Sequence, residues 1–211
     1  MNKVAVGFFS FTEVTDPAEH RAYNEWHQLD HMPEQFPLPG IVYGQRWVST
    51  PACRAARAAS SDLLDPIHYV TLYLMAEPID ETLRDFYALG KHLHEVDRFH
   101  LHRKAHLSGP FRLDALAAAP RVLISAEAVP YRPHRGVYVT VGDARDPAQL
   151  CATEGVAGAW AFADTERRIT VAWVDGDLNA AGAALGAGVP TGAEFAGAFE
   201  TITPWEWDWF D

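Results

Sequence analysis

Residues 67–75, IHYVTLYLM, decide the fold reading. The run is rich in β-branched and aromatic residues and reads as a strand. Side chains alternate between faces along a strand. Ile67, Tyr69, Thr71, Tyr73 and Met75 fall on one face, and His68, Val70, Leu72 and Leu74 on the other. Both faces are largely apolar, so this strand is expected to be covered on both sides.

Upstream, residues 3–12 read as a first strand and residues 41–49, IVYGQRWVS, as a second. A helix lies between them. Asp16 is its N-cap, Pro17 its first position and Glu19 its capping-box acid. The helix is expected to run to Met32, because Pro33 disfavours helical geometry at the residue before it. PLPG at 37–40 is a turn. Residues 51–66 carry no core pattern and read as a loop. Downstream of the third strand, Asp80 caps a second helix expected to reach about Arg98, with an apolar stripe at Leu83, Phe86, Tyr87, Gly90 and Leu93. SGPFRL at 108–113 is the fourth strand.

The order β-α-β-β-α-β is that of a ferredoxin-like unit. It then recurs more faintly: strands at 136–141, 156–162, 169–174 and 198–209, a nearly deleted first helix within 143–155, and a glycine-weakened second helix at 178–188. The expected fold class is therefore α+β, with a ferredoxin-like half at 1–116 and a degenerate one at 117–211. Each sheet has helices on one face only. Packing the two sheets face to face covers the other face as a single-chain barrel. The expected ligand pocket lies between the sheets.

The chain has 211 residues, 48% hydrophobic and 12% aromatic, so it carries enough apolar material for a core. Its net charge of −11 repels phosphate backbones and anionic membrane surfaces, which argues against nucleic acid and membrane partners. Cys53 and Cys151 are the only cysteines, so no disulfide framework or thiolate zinc site is expected. The N-terminus reads as a strand, not a signal peptide, and no apolar run is long enough to span a membrane. A cytoplasmic protein is expected. No dinucleotide fingerprint, P-loop or serine-hydrolase elbow is present.

The stretch P-x5-Y-N-E-W-H-x3-H-M-P-E at 17–34, followed by L-P-G-I-V-Y-G-Q-R-W at 38–47, resembles the dimeric α+β-barrel superfamily, in its EthD-like branch. SGPFRL is similar to that group's last strand. In that family two chains usually build the barrel, and here the second half takes the partner's place. The resemblance implies a small-molecule enzyme without an organic cofactor: an acid/base lyase, isomerase or cyclase, or a cofactor-free monooxygenase. Its substrate would be aromatic or polyketide-like and oxygenated. A non-catalytic ligand-binding or stress-response barrel, and a haem protein, are the alternatives.

The resemblance implies His31 as the proton-transferring residue. A partly desolvated imidazole titrates near neutral pH. Against this, a helical wheel sets His31 away from the Ala22–Trp26–Leu29 stripe, as a solvated histidine would be. His27 and His31 are spaced i, i+4 and share a face. With Glu34 they form either acid/base machinery or a two-histidine, one-carboxylate set for a divalent metal, although Pro33 interrupts the geometry. Tyr23, Trp26, Tyr43, Trp47, Tyr69 and Tyr73 are candidate pocket walls or plain core. Arg46 is either a carboxylate partner or a surface residue. His92, His94, His100, His102 and His106 read as a basic, solvated helix end, with haem or metal ligation as the alternative, and His68 as a core or pocket-wall residue. The tail PWEWDWFD puts three indoles on one strand face, closing the barrel or forming an oligomer contact; a homodimer stays open.

Overall fold

The computed structural model describes residues 4–143 and 145–210. Lys3, where the first strand was expected to start, lies outside the described residues. β1 spans Val4–Val14. A 3-10 turn at Pro17–Glu19 follows, with the Asp16 carboxylate accepting from the Ala18 N–H at 3.0 Å. α1 (His20–Trp26) runs into a π-helical turn at His27–His31 and then α2 (Met32–Gln35). β2 is Ile41–Val48. α3 (Pro51–Ala55) and β3 (Ala59–Ser60) occupy the expected loop. The missed signal was Thr50, whose hydroxyl caps the Cys53 N–H, with Pro51 at the first helical position.

β4 (Tyr69–Ala76) and α4 (Ile79–Glu95) come next. α4 stops three residues before the expected Arg98, and Asp97 takes a left-handed φ of 54°. The chain then turns into β5 (Arg103–Ala118), far longer than SGPFRL. Of the segment read as a basic helix end, His92 and His94 do lie in the last turn of α4, while the part beyond it is a bend and a strand: His100 lies 3.3 Å from Glu19 and His106 2.7 Å from Glu13. After two 3-10 turns come β6 (Gly136–Gly142), α5 (Pro147–Leu150), β7 (Val156–Ala163), β8 (Arg168–Val174), α6 (Leu178–Ala187) and β9 (Phe195–Thr201). Pro204 cannot donate to a ladder, and the tail beyond β9 is not a strand. Its indoles differ in burial: Trp205 is exposed, while Trp207, with its ring 5.8 Å away, is buried in a cluster with Tyr69 and Val48.

The strands pair antiparallel in the order β2-β4-β1-β5-β7-β8-β6-β9, and β9 returns to β2 through Trp47↔Thr201 and Val48↔Glu200. This closes an eight-stranded barrel, with β3 on the remaining edge of β9. β5 joins the two arcs: its first part pairs with β1 and its last with β7. The relative order of strands is the same in each arc. An eight-stranded barrel is just wide enough for side chains to fill. Here Phe9, Phe11, Val70 and Leu72 meet Trp160, Phe162, Trp173 and Phe199 inside it, all buried. Among the described residues, large side chains occupy the space between the sheets where the pocket was expected. Among the described residues no helix is long and apolar enough to cross a membrane.

Candidate functional site

The alternation along β4 places Tyr69, Thr71, Tyr73 and Met75 on the outer face of the barrel, beneath the helices. β1 does the same with Val6, Phe8, Ser10 and Thr12. Large apolar residues would be expected along such a covered face. Its middle is instead polar. Arg46 sits opposite Thr71, Thr71 opposite Ser10, and Ser10 opposite Ser108, so one polar rung crosses β2, β4, β1 and β5. Short hydroxyl side chains leave room between sheet and helices.

A cavity of about 160 Å³ occupies that room. Ser10, Thr71, Tyr73 and Ser108 line its floor, Tyr23, His27, His31 and Gln35 its helical wall, and Phe86, Phe99 and Arg103 its remaining sides. Phe99 and Arg103 also border an outer groove with His94 and His100, and so stand at the mouth. Six buried polar atoms in this lining find no partner among the described residues: the Tyr23 and Tyr73 hydroxyls, Nδ1 of His27 and of His31, Gln35 Oε1 and Thr71 Oγ1. Buried polar groups are almost always hydrogen-bonded, so these six atoms leave hydrogen-bonding capacity facing the cavity, for water or for a polar guest.

The π turn brings the two histidines here. The Met32 N–H bonds to the His27 carbonyl, five residues back, rather than four. The wider register also carries the helix past Pro33, where it was expected to stop. An i, i+5 pair then shares a face. Trp26 and His31, on different faces of a regular wheel, stack with centroids 4.7 Å apart. The His27 and His31 rings lie 5.2 Å apart. Single π turns are frequently found at functional sites.

Burial and nearby cations hold both imidazoles neutral. Burial, then Arg103, push His31 down to about 4, against an opposing pull from Asp30. The expectation of titration near neutrality is therefore corrected. Burial, then Arg46, hold His27 well below the ordinary value. Burial raises the Tyr73 hydroxyl, keeping it a proton donor.

Arg46 is 3% exposed. Its Nη2 donates to Asn24 Oδ1 at 2.8 Å, while Nε and Nη1 find no partner among the described residues. Its guanidinium lies 5.1 Å from the Tyr23 ring and 5.2 Å from that of Tyr69. Asn24 also donates to the Tyr69 hydroxyl at 2.8 Å, and His20 Nδ1 lies 2.9 Å from that oxygen. Tyr69 is thus one layer behind the cavity. Trp26 donates to the Arg98 carbonyl at 2.9 Å and backs His31.

The remaining sequence candidates lie elsewhere. Glu34 pairs with Arg98 at 2.8 Å, and Arg98 also pairs with Asp30. Among the described residues no three His, Cys, Asp or Glu side chains are grouped to hold a metal, so the His27–His31–Glu34 metal set is not assembled. Tyr43 packs on Tyr131 at the barrel's inner side. Trp47 is in the barrel core and donates to His134 at 3.0 Å. Sequence reading missed Arg103, Phe99, Gln35, Thr71 and Ser10. The three hydroxyls Ser10, Thr12 and Thr71 on helix-facing strand positions were the legible signal.

No family model and no curated protein matches the chain. A solved structure of a chlorite dismutase-like protein superposes over 95% of this chain and 96% of its own, with a TM-score of 0.53 and 8% identity. The fold is an α+β barrel. An anthrone oxidase-like protein covers 96% of this chain and 94% of its own, with a TM-score of 0.48 and 9% identity. In this α+β barrel the helix-covered face of the second arc is filled by Tyr138, Leu150, Val156 and Leu185, where the first arc has its cavity. Haem, an alternative from the sequence, does not fit the cavity. About 160 Å³ accepts a single ring, since a space of roughly 150 Å³ holds benzene, and a macrocycle of four pyrroles is far larger.

Proposed function

We propose that this α+β barrel is a small-molecule enzyme that moves a proton on a single-ring, oxygenated substrate, as an isomerase, lyase or cyclase does. The observation that carries the reading is the pair of neutral imidazoles, His27 and His31, whose Nδ1 atoms find no partner among the described residues, in a polar cavity of one-ring size. A neutral imidazole within reach of an acidic C–H or O–H is a general base. His31 takes the proton, and His27 lies behind it. The Tyr23 and Tyr73 hydroxyls donate to the substrate oxygen on which negative charge develops. Arg46 and Arg103 supply the positive field that favours that charge. Trp26 fixes the His31 ring by stacking.

The same proposal reads the chain as two ferredoxin-like units, 1–116 and 117–211, with EthD-like affinity. The repeated strand order and the W-H-x3-H-M-P-E motif support it. It needs no resident cofactor, allows a homodimer and places the protein in the cytoplasm, which suits two free thiols.

The test is proton exchange. Hydroxylated aryl ketones and cyclic diketones incubated in deuterated water should gain deuterium at the acidic carbon faster with the protein than without. His31→Ala should slow this by about 100-fold or more, the usual worth of a positioned base. An unchanged rate in His31→Ala removes the base assignment. Binding with no exchange in any member of the series supports the ligand-binding barrel instead.

A further inference from the structure

We infer that the ligand of this cavity is a single-ring carboxylate, its anionic group seated by Arg46 and Arg103 over the Thr71–Ser10 rung. The inference rests on the cavity assignment above and adds the charge of what it holds.

The protein carries a net charge of −11, yet among the described residues no Asp or Glu lines the cavity. Arg103 lines it instead, and Arg46 stands one residue back, against the Tyr23 ring and opposite Thr71, both of which line it. Arg46 is buried and has no carboxylate partner among the described residues, and two of its nitrogens find no acceptor. Burying a charge without a counter-ion is costly, and proteins rarely leave one so. Arg103, at the mouth, stacks 5.2 Å from Phe99 and 5.9 Å from Trp26, and no ion pair among the described residues includes it. Aromatic faces hold both guanidiniums in place without neutralising either. Asp30 is the acid whose charge reaches His31, and Arg98 already pairs with it. An arginine fork matches a planar carboxylate by two parallel hydrogen bonds. The rest of the cavity, with Phe8, Phe86 and Tyr73, suits the ring. A bound anion also offsets the charges that hold His31 neutral, so occupancy would prepare His31 to accept a proton.

Benzoate and its neutral isostere benzamide separate charge from shape. Calorimetric titration of the full chain should show benzoate binding at least about tenfold more tightly, the worth of one charge-assisted contact. That preference should shrink as salt rises from about 0.05 to 0.5 M. Arg103→Gln, at the mouth, should remove most of the preference, and Arg46→Gln, checked for folding by circular dichroism, should do the same. If Arg46→Gln does not fold, Arg103→Gln decides. Equal binding of benzoate and benzamide, or an Arg103→Gln variant with an intact preference, overturns the inference while leaving the proton-exchange reading standing. A clear benzoate preference without exchange keeps this inference and removes that reading.

Discussion

The indole of Trp26 and the imidazole of His31 lie stacked, 4.7 Å between centroids and 24° between planes, although five residues separate them in sequence. A regular helix would turn them about 140° apart. The π turn closes that gap and seats His31 against the cavity. Removing the indole should therefore open His31 to water. In Trp26→Ala the His31 titration, followed by proton NMR of the ring, should rise from about 4 toward 6.5, because burial is the largest cause of its depression. A His31 still titrating near 4 would place the cause in Arg103 instead.

Much of the barrel was legible because a strand's period of two is hard to disguise. Val70, Leu72 and Leu74 had to face one layer and Tyr69, Thr71 and Tyr73 another. What alternation does not say is which layer is the tight one. A covered strand points as readily to a site inside the barrel, where Trp160, Trp173 and Phe9 fill the space. The π turn was illegible for a different reason. It is a choice of hydrogen-bond register, and Pro33, read as a stop, is compatible with either. Arg103 escapes the candidate set because the segment His92–His106 reads as a helix end, whereas Asp97 ends α4 early by adopting a conformation that few non-glycine residues take. Two residues of the candidate set, Tyr23 and His27, were found together because they share one short helical segment and needed no tertiary knowledge.

The filled interior has a measurable consequence. Phe9 is fully buried and lies within 6.1 Å, centroid to centroid, of Phe11, Phe111 and Phe162. It touches both arcs of the barrel, since Phe162 belongs to β7. Phe9→Ala should cost about 3–5 kcal/mol in urea unfolding, as a rigid aromatic cluster collapses poorly into the void. A loss below about 1 kcal/mol would mean an interior loose enough to rearrange, and the interior pocket would return as a candidate.

Arg46 sets opposing magnitudes against each other. An unpaired buried charge costs several kcal/mol. Two aromatic faces return about 1–2 kcal/mol each, and the bond to Asn24 about 1–3 kcal/mol. These nearly cancel. Arg46→Met should accordingly leave stability within about 1 kcal/mol of the parent, while weakening benzoate binding. A residue kept for ligand rather than for fold behaves in this way. A loss above about 3 kcal/mol in thermal or urea unfolding would show instead that Arg46 is held for structure.

Acid should unfold the protein by way of its neutral histidines. His31 is pushed down to about 4 and His68 to about 3, in both cases chiefly by burial, and His27 lies well below 6.5. In the unfolded chain all three would bind protons near 6.5. Between that value and about 4 the unfolded state therefore holds more protons than the folded one. Stability rises with pH wherever this is so. The contribution of these residues is complete above about 6.5 and is lost progressively as pH falls toward 4. Each histidine adds a slope of at most about 1.4 kcal/mol per pH unit in that window. Urea midpoints from pH 7 to pH 4.5 should fall steadily, and His31→Gln should flatten the fall by up to one proton. Benzoate at saturating concentration should flatten it too, by raising the folded-state value of His31 while stabilising the fold. A pH profile identical in parent and His31→Gln would mean that His31 titrates in the folded protein as it does in the unfolded chain, near 6.5, and the buried neutral base would be lost with it.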